Sequence, residues 1–155
     1  DQSFQVGEAK VTCLHRAQLR VDGDGNVRRC VLAENTTIGS FSLTGFSEAS
    51  FEGGQLRRGT LLEEATFPEG SCEAGAIVQF DVANGGLTRC TLSKPLEKEG
   101  IWIPSGAVVE FEEVALLDEV KLPKDAVMKV GEESFTGPGS ADFRKGAFNT
   151  WSPSN

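Results

Sequence analysis

Four cysteines are the residues of this chain best suited to covalent or metal chemistry: Cys13, Cys30, Cys72 and Cys90. An even number of cysteines in a small chain is typical of disulfides formed in an oxidising compartment. Four thiolates can instead bind one zinc ion, but the chain has no Cys-x-x-Cys pair, and its only histidine, His15, is not placed as a partner ligand. Reduced cysteines in the core of a cytosolic protein are a third interpretation. Disulfides are the interpretation that we favour.

Three arginines, Arg29, Arg58 and Arg89, recur after 29 and 31 residues (58 − 29 and 89 − 58). If they form a column on one face of a sheet, their guanidinium groups could bind an anion or a carboxylate. The alternative, which we favour in an acidic protein, is cross-strand ion pairing on a solvated face. The carboxylates considered as partners are Glu52, Glu110, Glu112 and Glu113.

Oxygen ligands alternate in the sequence Asp-Gly-Asp-Gly-Asn that runs from Asp22 through Asp24 to Asn26, as they do in calcium-binding loops. An EF-hand loop would need glycine where Val27 stands and glutamate where Ala33 stands, and neither condition is met. The same residue types are preferred in tight hairpin turns. We therefore expect a turn here, with calcium binding as the alternative.

Residues suited to acid–base or nucleophilic catalysis form no recognisable local motif. His15 is the only histidine, and the chain has no Gly-x-Ser-x-Gly sequence. Adjacent carboxylates such as Glu63 and Glu64 would point to opposite faces of a strand. We expect a protein without enzymatic activity or cofactor. A hydrolase stays open as an alternative, because catalytic triads are assembled in space rather than in sequence.

Trp102 is a further candidate for binding, because it stands at the end of a predicted strand beside the turn at Pro104. In that position it could anchor a partner or stack on a sugar. The alternative is that it covers one end of the core.

The composition indicates an exported, acidic protein. The 155 residues have a net charge of −8 and include 39% hydrophobic residues, enough for the core of one domain. An acidic chain repels phosphate backbones, so we expect no nucleic acid partner. No apolar run approaches the ~18 residues of a membrane span. The chain begins at Asp1 and its only methionine is Met128. We therefore expect a processed N-terminus and a secreted, periplasmic or cell-envelope location.

An internal repeat organises the chain. Four segments of similar pattern begin at Val27, Leu56, Leu87 and Leu117, at steps of 29, 31 and 30 residues (56 − 27, 87 − 56 and 117 − 87). Apolar residues and two sets of glycines follow the same period: Val21, Phe51, Phe80 and Phe111; Gly39, Gly70, Gly100 and Gly131; Gly45, Gly75, Gly106 and Gly137. Each unit combines β-branched and aromatic runs with glycine turns, which predicts β-hairpins.

The order Phe, Gly-x-Leu-x-Arg-x-Thr-Leu, glycine, Ala/Ser-Gly and Val-x-Phe resembles the hairpin repeats of MORN-like bacterial proteins. More specifically, it resembles exported bacterial β-hairpin repeat proteins of uncharacterised function. The resemblance covers residues 17–137, and the fourth unit departs from it because Leu117-Asp118-Glu119 replaces Leu-x-Arg. The resemblance implies an interaction or scaffolding role with little chemistry.

The repeat also predicts how the cysteines pair. Cys30 and Cys90 occupy equivalent positions in their units, and so do Cys13 and Cys72. Pairing equivalent cysteines would bridge units two steps apart, at least about 9–10 Å, whereas a disulfide needs Cα atoms within about 7 Å. We therefore predict Cys13–Cys30 and Cys72–Cys90.

These observations predict an all-β fold, an antiparallel meander of about four hairpin units of some thirty residues in residues 1–136, with residues 137–155 as a C-terminal tail or cap. Leu56 and Leu61 have opposite parity in their strand, which indicates apolar residues on both faces and hence a rolled sheet, a barrel or a sandwich. The predicted function is that of a non-enzymatic binding or structural component of a cell-envelope or secreted assembly, with protein partners and self-association through sheet edges. A small secreted module that binds a glycan or Ca²⁺ is the alternative.

Overall fold

The structure, a computed structural model, describes residues 1–15, 18–113 and 115–154. These residues form twenty β-strands and no helix, so none of them belongs to a helix that could serve as a membrane span. The prediction of an all-β protein built as an antiparallel meander of hairpins is confirmed. Ten strands form one large open sheet, and the other ten form hairpins of a second layer.

The large sheet is a continuous meander in which every strand is antiparallel to its neighbours. Its strands are β3 (Arg20–Val21), β4 (Val27–Val31), β7 (Glu48–Glu52), β8 (Gln55–Thr60), β11 (Ile77–Phe80), β12 (Leu87–Thr91), β15 (Val108–Glu112), β16 (Leu116–Leu122), β19 (Gly139–Arg144) and β20 (Ala147–Pro153). They lie side by side in this order, so β3 and β20 are the two edges.

The second layer consists of shorter hairpins that alternate along the chain with those of the large sheet. Its strands are β1 (Gln2–Val6), β2 (Ala9–Cys13), β5 (Thr36–Ile38), β6 (Phe41–Leu43), β9 (Ala65–Phe67), β10 (Gly70–Cys72), β13 (Leu96–Lys98), β14 (Ile101–Ile103), β17 (Val127–Val130) and β18 (Glu133–Thr136). The first three hairpins are separate two-stranded sheets, whereas β14 pairs with β17 and joins the last two hairpins.

The structural repeat is one hairpin of each layer, and the chain contains five such units. The four segments recognised in the sequence are β4, β8, β12 and β16, the second strand of each large-sheet hairpin. The repeat continues beyond them at both ends. It begins with β1 and β2, and residues 137–155, expected to be a tail or cap, contain β19 and β20, which extend the large sheet by two strands.

Equivalent turns return the chain from the second layer to the large sheet. Gly75 and Gly106 hold φ values of 82° and 86° in these turns, a conformation that glycine adopts without a steric cost. In the second unit the same place is occupied by Phe46, with φ at 60° and 75% of its surface exposed. The backbone N–H groups of these three residues donate to equivalent carbonyl oxygens of Leu32, Leu61 and Leu92.

The core lies between the two layers, and two disulfides join the layers across it. Cys13 of β2 bonds to Cys30 of β4, and Cys72 of β10 bonds to Cys90 of β12. These are the pairs that the repeat predicts, and all four cysteines are fully buried. All four cysteines of the sequence are thus in disulfides, and none of the four is left for a zinc site or a reduced core. Each disulfide therefore ties a hairpin of the second layer to the large sheet within one unit.

Candidate binding surface

Every hairpin of the large sheet contains a β-bulge at the same position. In the second unit Ser50 pairs with Arg58 and Phe51 with Leu56, so Arg57 is an extra residue in β8. The other four hairpins show the same shift of register. The extra residues of the five hairpins are Arg28, Arg57, Thr88, Asp118 and Asn149.

The bulge places two consecutive side chains on the outer face of the sheet. In β8, Leu56 and Gly59 are buried, whereas Arg57 and Arg58 between them are exposed. Without an extra residue, adjacent side chains would point to opposite faces. The expectation that Leu56 and Leu61 point to opposite faces of their strand is wrong. Leu56 and Leu61 are both buried. Because the extra residue Arg57 lies between them, both side chains point to the same face of the strand, and the other face need not be apolar.

The residue after each bulge belongs to one row that crosses the whole sheet. Arg29, Arg58 and Arg89 all lie in this row, each two strands from the next, as a column predicts. The complete row from edge to edge is Arg20, Arg29, Ser50, Arg58, Gln79, Arg89, Glu110, Glu119, Asp142 and Thr150.

Charge changes sign along this face. The first two hairpins carry a basic patch, defined as Arg20, Arg28, Arg29, Arg57 and Arg58. The fourth and fifth hairpins carry an acidic patch, defined as Glu110, Asp118, Glu119 and Asp142. The third hairpin lies between them and presents Gln79, Thr88 and Arg89. A protein with a net charge of −8 thus concentrates five of its arginines on two neighbouring hairpins.

Some of these arginines form ion pairs with neighbouring carboxylates. Arg89 contacts Glu110 at 3.1 Å and Arg57 contacts Glu52 at 3.7 Å, and both carboxylates were among the expected partners. Arg29 instead contacts Glu48 at 2.6 Å, two residues along β7 from its direct neighbour Ser50. The side chains of Arg29 and Glu48 are 45% and 44% exposed, so solvent screens the attraction and the pair exchanges partners at little cost.

Like Arg20 at the edge, and unlike Arg29 and Arg89, Arg58 takes part in no ion pair among the described residues. Among the residues that the structure describes, no carboxylate lies within 4.0 Å of its guanidinium group. Its direct neighbours in the row are Ser50 and Gln79, which are polar but uncharged. Within the described part of the chain, Arg58 therefore has no direct ion pair, although Glu48 lines a neighbouring cavity of about 250 Å³ together with it.

Four cavities are lined by arginines of the basic patch, and two of them are adjacent and rich in arginine. One of these two has a volume of about 310 Å³ and is lined by Ser50, Arg57, Arg58, Gln79, Phe80 and Thr88. The other has a volume of about 250 Å³ and is lined by Arg20, Arg28, Arg29, Ser50, Phe51 and Arg57. Ser50 and Arg57 line both cavities, so the two form one shallow groove across the strands.

Trp102 is not part of this surface. It lies in β14 of the second layer, directly opposite Glu97 and Lys129 on the neighbouring strands, and 37% of it is exposed. Its neighbours Ile101 and Ile103 are buried. Trp102 and the arginine column therefore lie in different sheets, and the expectation that they share one working face is wrong.

The calcium candidate forms a hairpin turn between β3 and β4. One carboxylate oxygen of Asp22 accepts hydrogen bonds from the backbone N–H groups of Asp24 and Asn26, at 2.9 and 3.0 Å. This is the local bonding that makes aspartate favourable in turns. Within the described ranges, no group of three or more His, Cys, Asp and Glu side chains is arranged to hold a metal ion.

His15 is exposed and follows the end of β2. Residues 16 and 17, which come next, lie outside the described residues. The cavities of the basic patch do not include His15 in their lining.

Three arginines of the basic patch were not predicted from the sequence: the bulge residues Arg28 and Arg57 and the edge residue Arg20. A signal for the first two is present in the sequence. Two polar residues stand between apolar or small ones at the repeat position, as in Leu56-Arg57-Arg58-Gly59, and so interrupt the alternation expected of a strand. A doublet of this kind at one position of every unit predicts a repeated bulge.

In comparisons with protein-family models, with curated proteins and with solved structures, no match to this chain is found. The resemblance to MORN-like proteins therefore stays a prediction. The two disulfides fit an oxidising compartment.

Proposed function

We propose that this protein is a non-enzymatic binding or structural component of a secreted or cell-envelope assembly, and that the basic patch is its contact surface for an anionic partner. The observation that supports this proposal is the collection of five arginines on the exposed face of two adjacent hairpins in an otherwise acidic protein. Such a local field attracts and orients an anionic partner even when the net charge is negative.

The location in this proposal is outside the cytoplasm, in the periplasm or cell envelope or beyond the cell. Disulfides persist in oxidising compartments and are rare in the cytosol. Both disulfides here are buried and join the two layers of the fold. We propose that they keep the large sheet in place while its outer face is engaged.

A second candidate function is that of a small secreted module for a discrete acidic ligand. Arg58 supports it, because this arginine has no carboxylate within 4.0 Å among the described residues and lines the 310 Å³ cavity. That volume is at the lower end of the range for small-ligand sites. The two candidates share a surface and differ in the size of what binds there.

The test is a pull-down from the secreted and envelope fractions of the native host, followed by mass spectrometry. Three baits are compared: the natural chain, the basic-patch variant Arg29→Gln/Arg57→Gln/Arg58→Gln, and the control variant Lys10→Gln/Lys124→Gln/Lys129→Gln. Both variants lose three positive charges, and the three control lysines are exposed and lie outside the patch.

We expect the natural chain and the control variant to capture the same partner and the basic-patch variant to lose it. Capture of that partner by all three baits would contradict the proposal. Matching circular dichroism spectra and melting temperatures of the baits would show that all three are folded.

A further inference from the structure

We propose that the basic patch binds a carboxylated polysaccharide, with acidic sugar residues of uronate type seated in the groove formed by the two adjacent cavities. This inference rests on the proposed function and names the chemistry of its ligand.

The charged groups of the groove suit carboxylates. Guanidinium groups are planar and donate two parallel hydrogen bonds to a carboxylate, which strengthens the bond and fixes its geometry. The 310 Å³ cavity contains Arg57 and Arg58, and only Arg57 has a carboxylate nearby, Glu52 at 3.7 Å. The neighbouring cavity contains three further arginines, Arg20, Arg28 and Arg29. Each cavity can therefore neutralise at least one ligand carboxylate.

The uncharged groups of the groove suit a ligand rich in hydroxyl groups. Ser50, Gln79 and Thr88 line the 310 Å³ cavity and offer hydroxyl and amide groups that both donate and accept hydrogen bonds. The aromatic residues of the lining offer little apolar surface, since Phe51 is 3% exposed and Phe80 is half-buried. Protein partners are usually held by apolar and aromatic anchors, which this groove does not present. The lining therefore favours a polyhydroxylated anion over an acidic peptide.

The arrangement of the groove suits a polymer rather than a single sugar. The two cavities share Ser50 and Arg57, so a chain can pass from one to the other across the strands. Arg29 and Arg58 are two strands apart, a distance of about 9–10 Å. Beyond Arg89, which is paired with Glu110, the acidic patch repels an anionic polymer. The site thus begins at the β3 edge and ends at the third hairpin.

The experiment compares three short oligomers by isothermal titration calorimetry at 0.15 M salt: oligogalacturonate, a neutral maltooligosaccharide of the same length, and oligoglutamate of the same charge. We expect oligogalacturonate to bind at least about tenfold more tightly than the neutral sugar, and more tightly than oligoglutamate. Raising the salt concentration should weaken its binding, because screening reduces the attraction between exposed charges.

Three variants divide the contributions of charge and hydroxyl groups. Arg58→Gln should weaken oligogalacturonate binding about tenfold, the loss of one strong charge-assisted contact. Ser50→Ala/Thr88→Val should weaken oligogalacturonate binding about threefold to tenfold and leave oligoglutamate binding unchanged. The control Lys129→Gln, an exposed charge of the second layer, should change neither.

Oligogalacturonate that binds no better than the neutral sugar would overturn the inference. Oligoglutamate that binds equally well, with no effect of Ser50→Ala/Thr88→Val, would also overturn it and would indicate an acidic protein segment as the occupant. Loss of the host partner by the basic-patch variant, together with failure of oligogalacturonate to bind, would leave the proposed function standing and refute the carbohydrate inference alone.

Discussion

Arg89 and Glu110 occupy directly opposed positions on β12 and β15, with 3.1 Å between guanidinium nitrogen and carboxylate oxygen, and the charge of the central row changes sign between them. Every residue of that row before this pair is basic or uncharged, and every residue after it is acidic or uncharged. The pair therefore marks the boundary between the two halves of the outer face.

Removing Glu110 should extend the basic patch by one arginine. We expect Glu110→Gln to increase the affinity for oligogalacturonate about threefold, because Arg89 is released and a repelling carboxylate is lost. Stability should change by less than about 1 kcal/mol, since the two side chains are 37% and 27% exposed. The control is Glu97→Gln, which removes the same charge from the second layer. An equal increase in affinity in the control would show that net charge alone is responsible.

Phe46 should be less favourable for stability than glycine. Its φ of 60° is costly for a large side chain, and its 75% exposure means that little packing is lost on removal. We expect Phe46→Gly to raise the free energy of unfolding by about 0.5–1 kcal/mol in urea denaturation. The converse change, Gly106→Ala at a φ of 86°, should lower it by about 1 kcal/mol. A loss of stability in Phe46→Gly would mean that the aromatic ring makes a stabilising contact.

The pair Cys72–Cys90 should contribute most of its stabilisation by restricting the unfolded chain. It closes a segment with a sequence separation of 18 residues. We expect Cys72→Ala/Cys90→Ala to lower the free energy of unfolding by about 3 kcal/mol. In the natural chain, titration with Ellman's reagent in denaturant should detect no thiol before reduction and four thiols after it. Free thiols before reduction would contradict the disulfide assignment.

The close packing of Trp151 on Gly139 should make the last hairpin sensitive to one added carbon. A Cβ atom at Gly139 would lie 2.5 Å from Cζ2 of the Trp151 ring and 2.9 Å from the carbonyl oxygen of Ser152. We expect Gly139→Ala to destabilise the protein by about 1–3 kcal/mol and to shift the fluorescence of Trp151. Gly23→Ala is the matched control, because a Cβ there has no neighbour within 4 Å. Equal melting temperatures for the two variants would contradict this packing.

The interior units of the fold could be predicted from the sequence because the same residue types recur in them at a fixed spacing. The period of Val27, Leu56, Leu87 and Leu117 located four strands of the large sheet and predicted both disulfides. The terminal units could not be recognised in this way. The hairpin of β1 and β2 precedes Val21, the first residue that follows the repeat period, and the last hairpin has Phe148 where the interior units have leucine or valine.

The site could be predicted only in part. The common offset of Arg29, Arg58 and Arg89 predicts a column, because residues at one repeat position lie in one row. Regular alternation would direct Arg57 into the core, so only the interruption of alternation by the two polar residues indicates that Arg57 lies on the outer face. The register of pairing, which fixes the bulge, depends on contacts between strands that are distant from the local sequence.

The repeated bulge makes the surface chemistry of this sheet separable from its folding. At the first four bulges the two outward side chains touch solvent, and the residues that flank them are buried in the core. Substitutions of the two outward residues can therefore be made in one hairpin at a time, in evolution or in a designed library, without repacking the core. A scaffold of this kind can acquire new ligands through substitutions at these outward positions while the core stays the same. The change from basic to acidic side chains along the present sheet is one such set of surface residues.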